Sequence, residues 1–355
     1  MEKEQAKERL LWLDMVRSVA IIGVIMCHVV GDAYGFNLYS MEMESVLSRI
    51  FAFLMLSFGR IGVPFFLLTT GYLMLDKAYT DDAIFGFWRK KGLGLLLATE
   101  VWMVIYNIFL CLFNETEFSI RNLIEEMLFL KNSAMNHMWY MPMIMGMYLL
   151  LPLVANALQT VQIKTVQVPF VIITVLFLVI PSVNVLFNAW GTTLGGTTIS
   201  SGFSGGVYGV YIVAGYLIKK GLLKKIPSKV LSIITAICVV EAVWIQLYAY
   251  SCDVQYNIFY SNIVLLISGM CMFERCSRMD KLPMKKLVGV VSKYSFAIYL
   301  VHNPINMVLQ RYFDWVVNKE LKTILLCVMT LLLSWAVSYG VSRIPKVGKR
   351  ILYMR

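Results

Sequence analysis

Three ionisable residues stand inside one apolar stretch, Leu10 to Val30, which reads LLWLDMVRSVAIIGVIMCHVV: Asp14, Arg17 and His28. About twenty apolar residues suffice to cross a bilayer as a helix, and an ionisable group inside such a span faces the protein interior or a watered cavity. Arg17 and His28 are eleven positions apart, which at about 100° per residue returns them to nearly one face, roughly 16 Å apart along the axis. A guanidinium matches a phosphate with its planar fork, and an imidazole can take a proton from a hydroxyl near neutral pH. One face of this helix therefore carries an anion-binding group at one end and a general base at the other. An Asp14–Arg17 pair one turn apart, with His28 bonding a neighbouring helix, is the structural alternative, and it leaves the shared face unexplained.

The chain holds only two more histidines, His137 and His302. No two of the three are close in sequence, as a tight zinc ligand pair would be, so no metal is expected and acid–base chemistry fits better. His137 precedes Met138-Trp139-Tyr140; the two aromatics suit either an interfacial belt or stacking on a sugar ring. His302 precedes Asn303 and Pro304, and a proline within a span implies a local break that frees backbone carbonyls. Asn303 and Arg60 are candidate donors to an oxyanion. Arg60 also fits an interfacial arginine with its charge in water. Arg89 and Lys90, next to Lys91, suit a topological stop or an entrance for an anionic donor. Glu100 and Glu241 are acids within apolar runs that could serve as counter-ions or as packing residues.

These residues need a membrane scaffold. Of 355 residues 59% are apolar, and the mean hydropathy is +0.71, more apolar surface than a soluble domain can hide. The seven cysteines are odd in number, lack C-x-x-C spacing and mostly fall in apolar runs, so they read as small hydrophobes. The first apolar segment is too long for a signal-peptide core and is expected to stay as the first span.

Apolar runs against charged or Gly/Pro-rich breaks predict an all-α polytopic protein of about ten transmembrane helices, at 10–30, 46–75, 92–113, 138–158, 166–187, 203–218, 229–250, 257–273, 287–310 and 323–342. They form a single membrane-embedded domain over 1–355, with both termini on one side. Placing the termini in the cytoplasm puts 23 of the 32 basic residues there, Lys3, Lys7, Arg9 and Arg355 among them, and 5 outside. The net charge of +11 is then topology, and no nucleic acid is expected as a partner. All three histidines fall in the outer half of the membrane. The second span is interrupted at Gly59-Arg60-Ile61-Gly62-Val63-Pro64, where a kink or a short non-helical step is expected. Apolar positions at 120, 123, 124, 127, 128 and 130 predict a helix on the outer interface. The neutral Gly/Ser/Thr-rich stretch 188–206 reads as a flexible loop.

Asp14-x-x-Arg17, ten residues and then His28 resembles the signature of the membrane-bound acyltransferase-3 family. So do Arg60, Val63, Pro64, Phe65, Phe66, Gly71 and Tyr72 in order, His137-x-Trp139-Tyr140 leading into MYLLLPLV, and Ser295-x-x-Ile298-Tyr299-Leu300-x-His302-x-Pro304. Departures are small: Thr69-Thr70 replace a usual Ile-Ser, and Asn303 follows His302 directly. The resemblance implies a multi-pass enzyme of the bacterial plasma (inner) membrane. Such an enzyme moves an acyl group, usually acetyl, from cytosolic acyl-CoA (acetyl-CoA) to a hydroxyl of a cell-surface polysaccharide or lipid-linked sugar acceptor. In that reading Arg17 holds the donor's phosphates, helped by Arg60, Arg89 and Lys90. His28 is the base, or forms a transient acyl-histidine, with Asp14 in the same catalytic stripe. His137, Trp139, Tyr140, His302 and Asn303 bind or support the acceptor.

A transporter or flippase for a glycolipid or small solute is the competing class. Its usual mark, broken helices at corresponding places of two repeats, is missing: the breaks at 59–64 and 302–304 do not correspond. Sequence alone leaves the acceptor, the acyl group, the oligomeric state and the roles of Glu100 and Glu241 open.

Overall fold

The computed structural model describes residues 10–192 and 206–354. Lys3, Lys7, Arg9, Arg355 and most of the neutral 188–206 stretch lie outside the described residues. The described residues are helical, with no strand among them. In order they form α1 (Leu11–Tyr34), α2 (Leu38–Glu42), α3 (Val46–Arg60), α4 (Gly62–Met74) and α5 (Asp81–Phe87), then α6 (Leu93–Asn114) and α7 (Ile120–Met127). There follow α8 (Tyr140–Gln159), α9 (Ile163–Thr174), α10 (Ile180–Ala189), α11 (Gly206–Lys219), α12 (Ser228–Ser251), α13 (Ile263–Ser277), α14 (Lys285–Tyr312), α15 (Lys319–Ser342) and α16 (Gly348–Ile351). Each expected apolar segment overlaps a helix, and 7 of the helical rods are long and apolar enough to cross a membrane. α14 is long but too polar to count among them, and α11 and α13 are short.

α1 is the axis of the fold. It packs against α14, α3, α4, α15 and α13, and its apolar window is 67% buried, against 61% for the α3–α4 rod and at most 33% for the other five. Val16, Ala20, Ile21, Val24 and Ile25 are buried over about half of its circumference, while Ile22 on the opposite side is exposed. At the Arg17 end it docks on α14 through polar bonds: Ser292 Oγ donates to Asp14 Oδ1 (2.8 Å) and Ser18 Oγ donates to the carbonyl of Val288 (2.9 Å).

The interruption at 59–64 is tighter than expected. α3 and α4 are separated by Ile61 alone, whose φ of −70° and ψ of −19° remain in the right-handed helical region. The two glycines there serve close approach to α1. A Cβ at Gly59 would stand 2.7 Å from the amide nitrogen of Cys27, and one at Gly62 would stand 2.5 Å from the carbonyl oxygen of Ala20. Only glycine lets the two backbones cross at this distance.

Two further segments differ from the sequence expectation, and a third agrees with it. Residues 81–92 continue into α6 as one rod, because the Thr80 side chain accepts from the Ala83 amide, Asp81 and Asp82 occupy the first turn, and a π-helical turn at Trp88–Gly92 joins α5 to α6. α13 starts at Ile263, six residues later than the expected 257, where the Asn262 side chain caps it by accepting from the Val264 amide. The helix expected on the outer interface is present as α7, with Ile120, Ile124 and Leu128 exposed and Glu126 the buried member, bonded by Asn107 Nδ2 at 3.0 Å. Its apolar side faces away from the protein, as a helix lying on a bilayer surface requires.

Candidate active site

The three histidines, 109 and 165 residues apart in sequence, meet at one point. His28 of α1 lies 5.2 Å from His302 of α14 and 6.0 Å from His137, and His137 and His302 are 5.0 Å apart, all between ring centres. His137 is placed by a 3₁₀ turn, Asn136–Trp139, that starts α8. Their environments differ. His137 and His302 are buried, at 1% and 0% exposure, whereas His28 remains partly accessible.

Hydrogen bonds fix two of the tautomers. α14 runs unbroken through Pro304, so the break expected there does not form. Proline still lacks the N–H that would bond the carbonyl of Leu300, and the hydroxyl of Tyr106 on α6 donates to that carbonyl instead. Tyr106 has a single hydroxyl proton, so towards His137 Nε2, 3.2 Å away, its oxygen must accept. His137 therefore carries its proton on Nε2. Its Nδ1 is left to accept from Asn303 Nδ2 at 3.0 Å, and Tyr299 Oη donates to its backbone carbonyl at 2.6 Å. With both nitrogens committed, His137 braces the site.

His302 is arranged differently. Its Nδ1–H donates to the carbonyl of Tyr299 at 2.7 Å, while its Nε2 is buried with no hydrogen-bond partner. A buried ring nitrogen with an unused lone pair is costly unless a donor arrives. It stands ready to accept a proton-bearing group next to His28.

The surroundings of His28 are continuous on both sides. One turn further along α1, Asp32 accepts from Asn306 Nδ2 of α14 at 2.6 Å, so that His28 and Asp32 face His302 and Asn306 in two successive rungs. Towards Arg17, a cavity of 30 Å³ lies between Val24, Val63, Phe66, Tyr140, Phe296 and Tyr299. Val24 is one turn from His28 and two turns from Arg17, so the cavity sits on the stripe that joins them. Arg17 is half-buried on that stripe of the unbroken α1.

The remaining residues singled out in the sequence divide into those brought to this point and those held elsewhere. Arg60 joins the His28 end of α1, not the Arg17 end: it follows the Gly59–Cys27 crossing and its charge reaches His28. Its guanidinium lies over Phe259 (4.8 Å) and Tyr260 (5.5 Å). Trp139 is 5.3 Å from Tyr208 and 5.6 Å from Tyr260, completing an aromatic wall beside the histidines, and Tyr140 lines the cavity beneath them. Asp14 is fourteen residues from His28, about 21 Å along α1, and serves the α1–α14 contact. Arg89 and Lys90 are exposed on the π-helical turn before α6. Glu100 and Glu241 are counter-ions to neither arginine: both carboxylate oxygens of Glu100 and Oε2 of Glu241 are buried without a hydrogen-bond partner.

Sequence reasoning passed over Tyr106, Tyr208, Tyr260, Asp32 and Asn306. The last two had a signal, since Asp32 follows His28 and Asn306 follows His302 by four residues, one turn on the same face. The tyrosines had none. Among the described residues, no group of His, Cys, Asp and Glu is arranged to hold a metal ion.

A sequence model of a known family, described as an acyltransferase domain, matches residues 10–339. No curated protein and no solved structure gives a match. The matched region spans α1 to the last turn of α15 and includes every residue of the histidine cluster and its supports. A multi-pass helical protein with this site and this match over most of its length belongs to the acyltransferase-3 family of membrane acyltransferases.

Proposed function

We propose that the protein is an O-acyltransferase of the bacterial inner membrane. It takes an acyl group, acetyl in the first place, from cytosolic acyl-CoA and transfers it to a hydroxyl of a carbohydrate on the far side of the membrane. The observation that carries this reading is the unpaired Nε2 of His302 facing the partly accessible His28 at the end of a stripe that begins with Arg17. An acceptor hydroxyl placed between the two rings has nitrogen lone pairs within reach.

The geometry supports the following roles. Arg17 pairs with phosphate, and the thioester end of the donor extends along α1 towards the cavity of 30 Å³, whose apolar lining suits a small acyl group. His28 removes the acceptor's hydroxyl proton, and the oxygen attacks the thioester carbonyl. The carbon–sulfur bond then breaks, and the proton passes to the departing thiolate. His302, held in its Nδ1–H tautomer, orients the hydroxyl or His28 through Nε2. Arg60, at the same end of α1, stabilises the developing oxyanion in this reading, and Asn303, committed to His137, supports that brace. The aromatic wall of Trp139, Tyr208 and Tyr260 offers faces on which a sugar ring stacks. Access from the two sides of the membrane agrees with the excess of basic residues assigned to the cytoplasm.

The test is transfer of radiolabelled acetyl groups from acetyl-CoA to cell-envelope glycans by the purified protein in lipid nanodiscs, with Arg17→Ala and His28→Ala alongside. Label in glycan with wild type, and none with either folded variant, is the expected result. Full activity of His28→Ala would remove it as the base, and absence of label and of coenzyme-A binding in wild type would overturn the enzyme reading.

A further inference from the structure

A second cavity lies away from the histidines. Lys293 of α14, Arg343 at the end of α15, Lys346 in the next turn, and Lys349 and Arg350 of α16 line one cleft of 610 Å³, together with Tyr294. No carboxylate lines it, and none of the five cations forms an ion pair with another described residue. All five are exposed; topology accounts for basic residues at this end of the helices, but not for five of them lining one cleft that holds no carboxylate.

The cleft is built rather than incidental. The Gly348 amide donates to the Ile344 carbonyl at 3.1 Å and folds α16 back beside α15. Trp102 Nε1 of α6 donates to the carbonyl of Ile351 at 3.0 Å, and Tyr353 Oη donates to the carbonyl of Lys91 at 3.0 Å, tying the tail to the start of α6. The cleft also adjoins the path to the histidines. Phe296, one turn from Lys293 on α14, lines the 30 Å³ cavity beneath them, and its ring lies 5.3 Å from that of Tyr353. Lys293 precedes His302 by nine residues, an axial distance of about 13 Å, comparable to the Arg17–His28 spacing.

We infer that this cleft is a polyphosphate-binding site that docks the diphosphate and ribose 3′-phosphate of the acyl-CoA donor, with the thioester arm passing Phe296 into the small cavity. The inference rests on the acyl-CoA reading above and adds where the donor's charged end is held. The cleft then adds to the hold of Arg17 on the donor's phosphates, with Lys349 and Arg350 of α16 among its contributing cations.

Calorimetric titration of the full-length protein, in nanodiscs of zwitterionic lipid, with CoA and with dephospho-CoA tests this. The Lys349→Gln/Arg350→Gln variant should bind CoA at least about tenfold more weakly, and its preference for CoA over dephospho-CoA should shrink. An unchanged thermal midpoint certifies its fold, and Lys346→Gln gives a milder change should the double variant unfold. Unchanged CoA affinity in both folded variants overturns the inference while leaving the enzyme reading intact. The same result with lost retention of phosphatidylglycerol, read by native mass spectrometry, also overturns it and assigns the cleft to a lipid headgroup. Failure of wild type to bind CoA at all overturns the acyl-CoA reading itself, and this inference with it.

Discussion

The hydroxyl of Tyr106 donates to the backbone carbonyl of Leu300, the carbonyl that Pro304 leaves without its helical donor. That substitution of a side-chain donor for a backbone one lets α14 pass straight through a proline. It also determines which nitrogen of His137 carries the proton, because Tyr106 has no second hydrogen to give. A local defect in one helix is thus converted into the orientation of a site residue on another.

Tyr106→Phe should leave the Leu300 carbonyl and His137 Nε2–H buried and unpaired, at a cost of about 1–3 kcal/mol for each group, with a matching fall in acyl transfer. Pro304→Ala returns an N–H to Leu300, so in the double variant the penalty of Tyr106→Phe should shrink by about 1 kcal/mol or more. Thermal unfolding of the four proteins of this cycle in detergent measures the coupling. Strict additivity would show that the tyrosine does not replace the helical bond.

His302 and His137 should separate in kinetics, since one has an open ring nitrogen and the other has none. His302→Gln should lower the transfer rate about 10²-fold or more with little change in stability, as loss of a proton-handling group does. His137→Gln should lower stability as well as rate, because Asn303 and Tyr106 lose their partner. Rates and unfolding midpoints of the two variants, measured together, check the division.

The crossing of α1 and α3–α4 predicts a sharp contrast among glycines. Gly59→Ala and Gly62→Ala place a methyl against the backbone of Cys27 or Ala20 and should separate the helices, costing several kcal/mol and displacing Arg60 from the histidines. Gly146→Ala on α8, where nothing lies within 4 Å, should be tolerated or slightly stabilising. Yield of folded protein on size-exclusion chromatography and the unfolding midpoint distinguish the two classes.

Asp76, just past α4, holds Lys219 and Lys220 at 3.2 and 2.5 Å. Partial burial pushes its carboxyl up, but the hydrogen bonds from Lys220 and Lys219 outweigh this and keep it below the ordinary 3.8. A carboxyl depressed on folding contributes stability above its unfolded value and loses it as the pH falls through its folded value. Asp76→Asn should therefore lower the stability slightly at pH 7, by no more than about 1 kcal/mol, and the difference from wild type should close as the pH falls below 3.8. A difference that persisted in acid would assign the contact to packing instead of charge.

The sequence by itself determined the membrane class, because 59% apolar residues in long runs admit no other interior, and it placed a helix under each expected apolar segment. It also singled out Arg17, His28, His137 and His302, since rare ionisable residues in apolar runs are visible without any knowledge of contacts. The Arg17–His28 stripe was legible because both lie on one unbroken helix, whose geometry is local. What tertiary structure alone decided is how residues from different helices meet. The convergence of His137 and His302 on His28 depends on how α8 and α14 pack around α1, and helical periodicity says nothing about which faces of separate helices come together. The same holds for Arg60, which proved to join the histidine end through the Gly59–Cys27 crossing, and for Pro304, whose expected break is cancelled by a tyrosine 198 residues earlier in the chain. A hydrogen bond between distant helices leaves no period in the sequence; only the packing that brings donor to acceptor creates it.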